Sequence, residues 1–129
     1  MNQSINKPTN AIVISNKEGS IFKSWLKVLS PVHKLNAREI DVAALFIDSY
    51  IKNKESIINE DLLNEVTLSK ETKRKIRNKL NLTHTYFQVI IKELKNKGFI
   101  TKDNKINISY IPSFSNNTIV LSYIIKNET

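Results

Sequence analysis

Apolar residues recur through the middle of the chain at helical spacing, and polar residues that can cap a helix stand between the runs. From Ser20, the residues Phe22, Trp25, Leu26 and Leu29 follow the i, i+3, i+4, i+7 order of one helical face, and Pro31 is expected to close that helix. Asn36 begins a stronger one. Its side chain can cap the backbone while Glu39, three residues on, reaches back as in a capping box, and Ile40, Ala43, Ala44, Ile47 and Ile51 form the stripe to be buried. Ser56 to Ile58 reads as a short strand, and Asn59 as the cap of a brief helix carrying Leu62, Leu63 and Val66. Ser69 caps a helix running to about Leu80, with Glu71 in its first turn and only Ile76 and Leu80 apolar. Thr83 caps the next helix, which runs to Lys97 and ends at Gly98, a residue suited to the left-handed conformation. Asn81, which tolerates that conformation, stands in the tight turn between these two helices.

Beyond Gly98 the period changes from helical to alternating. "FITK" and "KINISYI" flank Asp103-Asn104 as a β-hairpin would, and Pro112 ends the second run. "SFSNNT" reads as a loop and "IVLSYII", Ile119 to Ile125, as a last strand. "AIVIS", Ala11 to Ser15, is a short apolar run of strand type, and the polar residues 1–10 read as a flexible arm. The carboxyl-terminal strand is too apolar for an exposed edge, so it is expected to complete a sheet with the hairpin, or to pair with "AIVIS" or with a second subunit.

Charge adds what periodicity does not show. Residues 69–111 hold eleven lysines and arginines against three acids, while the rest of the chain holds nine of each. The whole formal charge of +8 therefore sits in one third of the sequence, which calls for a partner of opposite sign. Six of those cations, Lys70, Lys73, Arg74, Lys75, Arg77 and Lys79, crowd one helix with few acidic partners at i, i+4. Lysine, isoleucine and asparagine make up 52 of 129 residues, the composition of an AT-rich coding sequence such as that of a low-GC bacterium or of a phage or mobile element in one.

Helix, short strand, helix, tight turn, helix and hairpin follow in the order of the winged helix-turn-helix family, which the stretch "LNLTHTYFQVIIKELKNKGFIT" resembles. The resemblance covers Leu35 to Ile111 and leaves the first helix of the motif either at Asn59 to Val66 or at Ser69 to Leu80. Asn81 stands where that family commonly has glycine. The expected fold class is α+β, mainly α: a single winged-helix domain over 11–129, with a motif core at 35–111 and short terminal strands, the last at 119–125.

The resemblance implies a double-stranded DNA-binding protein, a regulator of transcription or replication, whose helix 83–97 reads the major groove. On that helix Phe87, Ile90, Ile91 and Leu94 share the core side, and Thr85, Val89, Lys92 and Asn96 oppose them, with Tyr86 and Gln88 on the flanks. The candidates for base contact are thus Thr85, Tyr86, Gln88, Val89 and Lys92, since glutamine matches an adenine edge and valine a thymine methyl. Phosphate contacts are expected from the six cations of helix 69–80 and from Lys102 and Lys105 at the wing tip.

Other chemistry finds little support. Cysteine is absent, His33 and His84 are the only histidines, and Gly19 and Gly98 the only glycines, which leaves no glycine-rich phosphate loop. Asp41, Asp48, Glu60, Asp61 and Glu65 lack metal-ligand spacing. No enzyme, metal or cofactor is expected. No run reaches the roughly 20 apolar residues of a membrane span, and the start lacks signal-peptide order, so a cytoplasmic protein without membrane contact is expected. A homodimer is compatible with the pattern. The alternative is a structural or adaptor protein of a phage particle, which would use the fold, with Tyr86 and Val89, to bind other phage structural proteins.

Overall fold

Four polar side chains fix where the helices begin. In the computed structural model, which describes residues 11–12, 20–115 and 118–120, Asn36, Asn59, Ser69 and Thr83 each accept from the amide three residues ahead, as N-caps do. They start α3 (Ala37–Lys54), α4 (Glu60–Thr67), α5 (Lys70–Lys79) and α6 (His84–Asn96), which follow α1 (Ser20–Val28) and α2 (Ser30–His33). The capping box of α3 is complete: Asn36 Oδ1 accepts from the Glu39 amide at 2.9 Å, and Glu39 Oε1 accepts from the Asn36 amide at 2.9 Å.

The first helix stops at Val28, ahead of Pro31, but Pro31 opens a second short helix. It lies in the first turn of α2, where its missing N–H removes no hydrogen bond, and Lys34 at φ 60° ends that short helix. His33 then joins the two ends of the turn. Its Nε2 donates to the Leu26 carbonyl at 2.7 Å, and its Nδ1 accepts from the Leu35 amide at 2.9 Å, a pairing that needs the neutral ring.

α3 is the central helix, packed against α1, α4, α5 and α6. Its expected stripe is buried at Ile40, Ala43, Ala44 and Ile47, but Val42, Phe46 and Tyr50 are buried too, because neighbours cover a second side. Trp25, Phe46, Phe87 and Phe99 are the largest wholly buried side chains. Phe46 and Phe99 lie 6.5 Å apart between ring centres, and Tyr110 meets Phe99 edge-on at 5.4 Å.

The α+β winged-helix expectation is overturned. A wing requires a β-hairpin, and residues 20–112 contain six α-helices and no strand: where the hairpin should stand there is one isolated bridge, Ile100 to Ile106. Long-range partners take the groups that a ladder needs. The Ile106 amide donates at 2.7 Å to Asn64 Oδ1, buried on α4, and Asn107 Nδ2 turns back to the Gly98 carbonyl at 2.9 Å. Asn107 also caps a 3-10 turn at Ile108–Tyr110 by accepting from the Ser109 amide, so the backbone leaves the extended conformation. Tyr110 is drawn inward. Its carbonyl accepts from Trp25 Nε1 at 2.9 Å, its hydroxyl donates to the Lys97 carbonyl at 3.2 Å, and its ring stacks on His33 at 5.7 Å.

Two smaller expectations also fail. Ser56 to Ile58 is a linker, with Ile58 97% exposed, since a run of two isoleucines is too short to hold a strand without a partner. Ser113–Ser115, within the segment read as a loop, forms β2 and pairs with β3 (Thr118–Val120), which also pairs with β1 (Ala11–Ile12). Both pairings are antiparallel and place β3 in the middle of a small sheet. The expected arm at 1–10, the remainder of "AIVIS" and residues 121–125 of the last strand lie outside the described residues. Among the described residues, no helix is long and apolar enough to cross a membrane.

Candidate nucleic-acid interface

The charged third of the chain folds into α5, a four-residue turn and α6. Ser69 starts α5 with its Oγ 3.2 Å from the Thr72 amide, and the Thr72 hydroxyl donates back to the Val66 carbonyl at 2.9 Å, which locks α5 to the end of α4. The turn is made by Asn81 at φ 57°, the left-handed position predicted for it. Arg77 braces this turn. Its carbonyl accepts from the Leu82 amide at 3.0 Å and its guanidinium donates to the Leu82 carbonyl at 3.4 Å. Leu82 is buried, and Thr83 Oγ1 then accepts from the Tyr86 amide at 3.1 Å to open α6.

α6 divides as its sequence predicts. Phe87, Ile90, Ile91 and Leu94 are buried, while Thr85, Tyr86, Gln88, Val89, Lys92 and Asn96 are exposed on the other side. Tyr86 is 44% exposed and Val89 53%, so two large side chains in the first two turns of this helix meet solvent. At its far end Gly98 takes φ 87°, and Lys97 turns inward to Glu39 at 2.7 Å. One of the eleven cations is therefore used to hold the fold.

The six cations of α5 do not share one face. Lys73 and Arg77, one turn apart, are half-buried on the side toward α6: burial first, and the charge of Lys95 second, lower the Lys73 pKa. Lys70 and Arg74 continue this side at helical spacing and are exposed. Arg74 makes a two-pronged pair with Glu71, both contacts 2.9 Å, and that guanidinium holds the Glu71 carboxyl below the usual range. Lys75 and Lys79 lie on the other side of α5. They line, with Leu45, Leu62 and Ile76, a groove of about 660 Å³ between α3, α4 and α5.

The two lysines assigned to a wing part company. Lys102 is exposed on the loop, whereas Lys105 pairs with Asp61 at 3.1 Å and faces Asp103 at 3.9 Å, and the Asp61 carboxylate raises its pKa. Lys95, exposed on α6 and close enough to Lys73 to perturb it, was missed; its place seven residues after Gln88 was the available signal. Among the described residues, no group of three or more histidine, aspartate and glutamate side chains could hold a metal ion. His84 is exposed in the first turn of α6, and His33 is in the core. No protein-family model, no curated protein and no solved structure matches this chain.

Proposed function

We propose that the protein binds double-stranded DNA, with the outward side of α6 in the major groove, and serves as a regulator of transcription or replication. The observation that carries this reading is the exposed set Thr85, Tyr86, Gln88, Val89 and Lys92 on the second helix of a pair joined by a tight turn. A helix fits the major groove, and this set contains donors, acceptors and methyl groups of the kinds that base edges present there. Lys70, Lys73, Arg74 and Arg77, on the adjoining side of α5, serve phosphates. Burial, and after it the charge of Lys95, disfavour the charged form of Lys73, and a phosphate oxygen beside Lys73 favours that form. The Arg74–Glu71 pair is on the surface and weak enough to exchange for a phosphate. Lys75 and Lys79 have no part in the contact.

Fluorescence anisotropy with a labelled duplex tests the proposal. Four phosphate contacts give a slope of about −3.6 in log K against log salt, a loss of roughly 100-fold between about 50 and 200 mM. Lys70→Ala with Arg74→Ala should reduce the slope by about two contacts' worth, and Lys75→Ala with Lys79→Ala should leave it unchanged. Binding that ignores salt removes the proposal, and an equal effect of the two double substitutions removes the assigned face.

A further inference from the structure

The residues that read guanine and cytosine are missing from the first two turns of α6. Guanine is read best by two donors from one arginine or lysine on O6 and N7, and cytosine by a carboxylate accepting from N4. The chain has three arginines, and none is on α6: Arg38 is on α3, and Arg74 and Arg77 are on α5. The first two turns of α6, whose residues reach base edges when a second helix docks, hold neither lysine nor acid. Lys92 comes a turn later, and Glu93 is half-buried with its Oε2 3.4 Å from Asn96.

What those turns do offer is specific in the other direction. Gln88 is exposed, and its amide presents one donor and one acceptor to match adenine N6 and N7. Val89 and Thr85 stand one turn apart on the same side and present methyl groups to thymine C5 methyls. His84 is exposed there too, but its two ring nitrogens point apart, so one ring does not place two donors on guanine O6 and N7.

We infer that the protein selects A·T pairs through the major groove, with adenine facing Gln88 and an adjacent thymine methyl against Val89 and Thr85. This inference rests on the duplex-binding proposal. A helix turn rises about 5.4 Å against about 3.4 Å per base pair, so residues one turn apart meet neighbouring pairs and the core of the site is two adjacent A·T pairs.

The test is anisotropy at fixed salt with the full chain and four labelled duplexes of equal length: A·T, G·C, inosine·cytosine, and A·T with deoxyuridine replacing thymidine. Inosine·cytosine shows an A·T-like minor groove and a G·C-like major groove, so it should bind as weakly as G·C. The A·T duplex should bind about 5- to 160-fold more tightly than G·C, the range for one good two-point contact. Deoxyuridine should weaken binding by about fourfold per methyl lost. Val89→Ala should reduce that thymine-to-uracil difference, and Gln88→Ala should narrow the A·T to G·C ratio. Salt-sensitive binding with equal affinity for A·T and G·C overturns the inference and leaves duplex binding intact. An A·T preference shared by inosine·cytosine overturns it as well, because the minor groove or duplex shape is then being read. No salt-sensitive binding to any duplex removes both.

Discussion

Glu39 joins a helix cap to an ion pair, and its removal should destabilise the fold more than the loss of an exposed ion pair. Its side chain is 4% exposed, with Oε1 accepting from the Asn36 amide at 2.9 Å and from Lys97 Nζ at 2.7 Å, and Oε2 from Asn36 Nδ2 at 3.0 Å. Glu39→Ala opens half of the capping box, for which cap losses of about 1 kcal/mol are typical. It also leaves Lys97 without its carboxylate. Breaking a buried pair costs about 3–5 kcal/mol, but the Lys97 side chain is 29% exposed and also donates to the Lys34 carbonyl, so about 2 is the better figure. The total is about 3 kcal/mol, which lowers a urea midpoint by about 1 M or more. Glu39→Gln keeps an acceptor for the Asn36 amide and should lose about half as much. Trp25 is the only tryptophan and 1% exposed, so its fluorescence reports unfolding directly. Lys97→Met completes a double-mutant cycle with Glu39→Gln, in which a coupling of about 1 kcal/mol or more is expected. Glu39→Ala within about 0.5 kcal/mol of the parent, or a coupling near zero, refutes the assignment of Glu39 as a shared cap and ion-pair partner.

Thr67 is wholly buried and its hydroxyl has no hydrogen-bond partner among the described residues, so Thr67→Val should be neutral or stabilise by up to about 1 kcal/mol in the same urea titration. A loss above about 1 kcal/mol would show that the hydroxyl is bonded after all. His33 is held neutral, its pKa lowered chiefly by burial and also by Lys97, against a smaller opposing effect of the Leu26 carbonyl and Glu39, while Tyr110 stacks on its ring. The unfolded chain therefore takes up the proton more readily: stability is complete above the unfolded value of about 6.5 and falls as pH drops through it, by at most about 1.4 kcal/mol per pH unit. Thermal melts at constant ionic strength between about pH 7.5 and 5.5 should show a falling Tm, and a flat Tm would remove His33 as the cause.

What could be read from the sequence was local. The caps at Asn36, Asn59, Ser69 and Thr83 each act over three residues, Asn81 and Gly98 need only their own backbone preference, and the core side of α6 follows from helical period. The candidate reading side of α6 came with it, as the complement of a buried stripe. The failed hairpin lay beyond such reasoning, because Asn64 is 42 positions from Ile106 and Trp25 is 85 from Tyr110. Alternating isoleucines favour a strand until those partners compete for its groups. The ion pair of Lys105 was out of reach for the same reason, its carboxylate partner Asp61 being on another element. The split of the α5 cations needed the neighbours of that helix: lysines at 75 and 79 look like lysines at 70 and 73 until α3 and α4 are in place.

The segment from Phe99 to Tyr110 is pinned by Asn64, by Asn107 to Gly98, by Trp25 and by the bond of Tyr110 to Lys97. Its conformational entropy has been surrendered on folding, and docking surrenders none of it again. Association with the proposed duplex should then show the heat-capacity change of the contact surface alone, without the larger signature of a segment that folds as it binds. Such a body meets its partner as a fixed template. In the proposed complex, any bending, twisting or groove widening needed for a closer fit falls to the DNA.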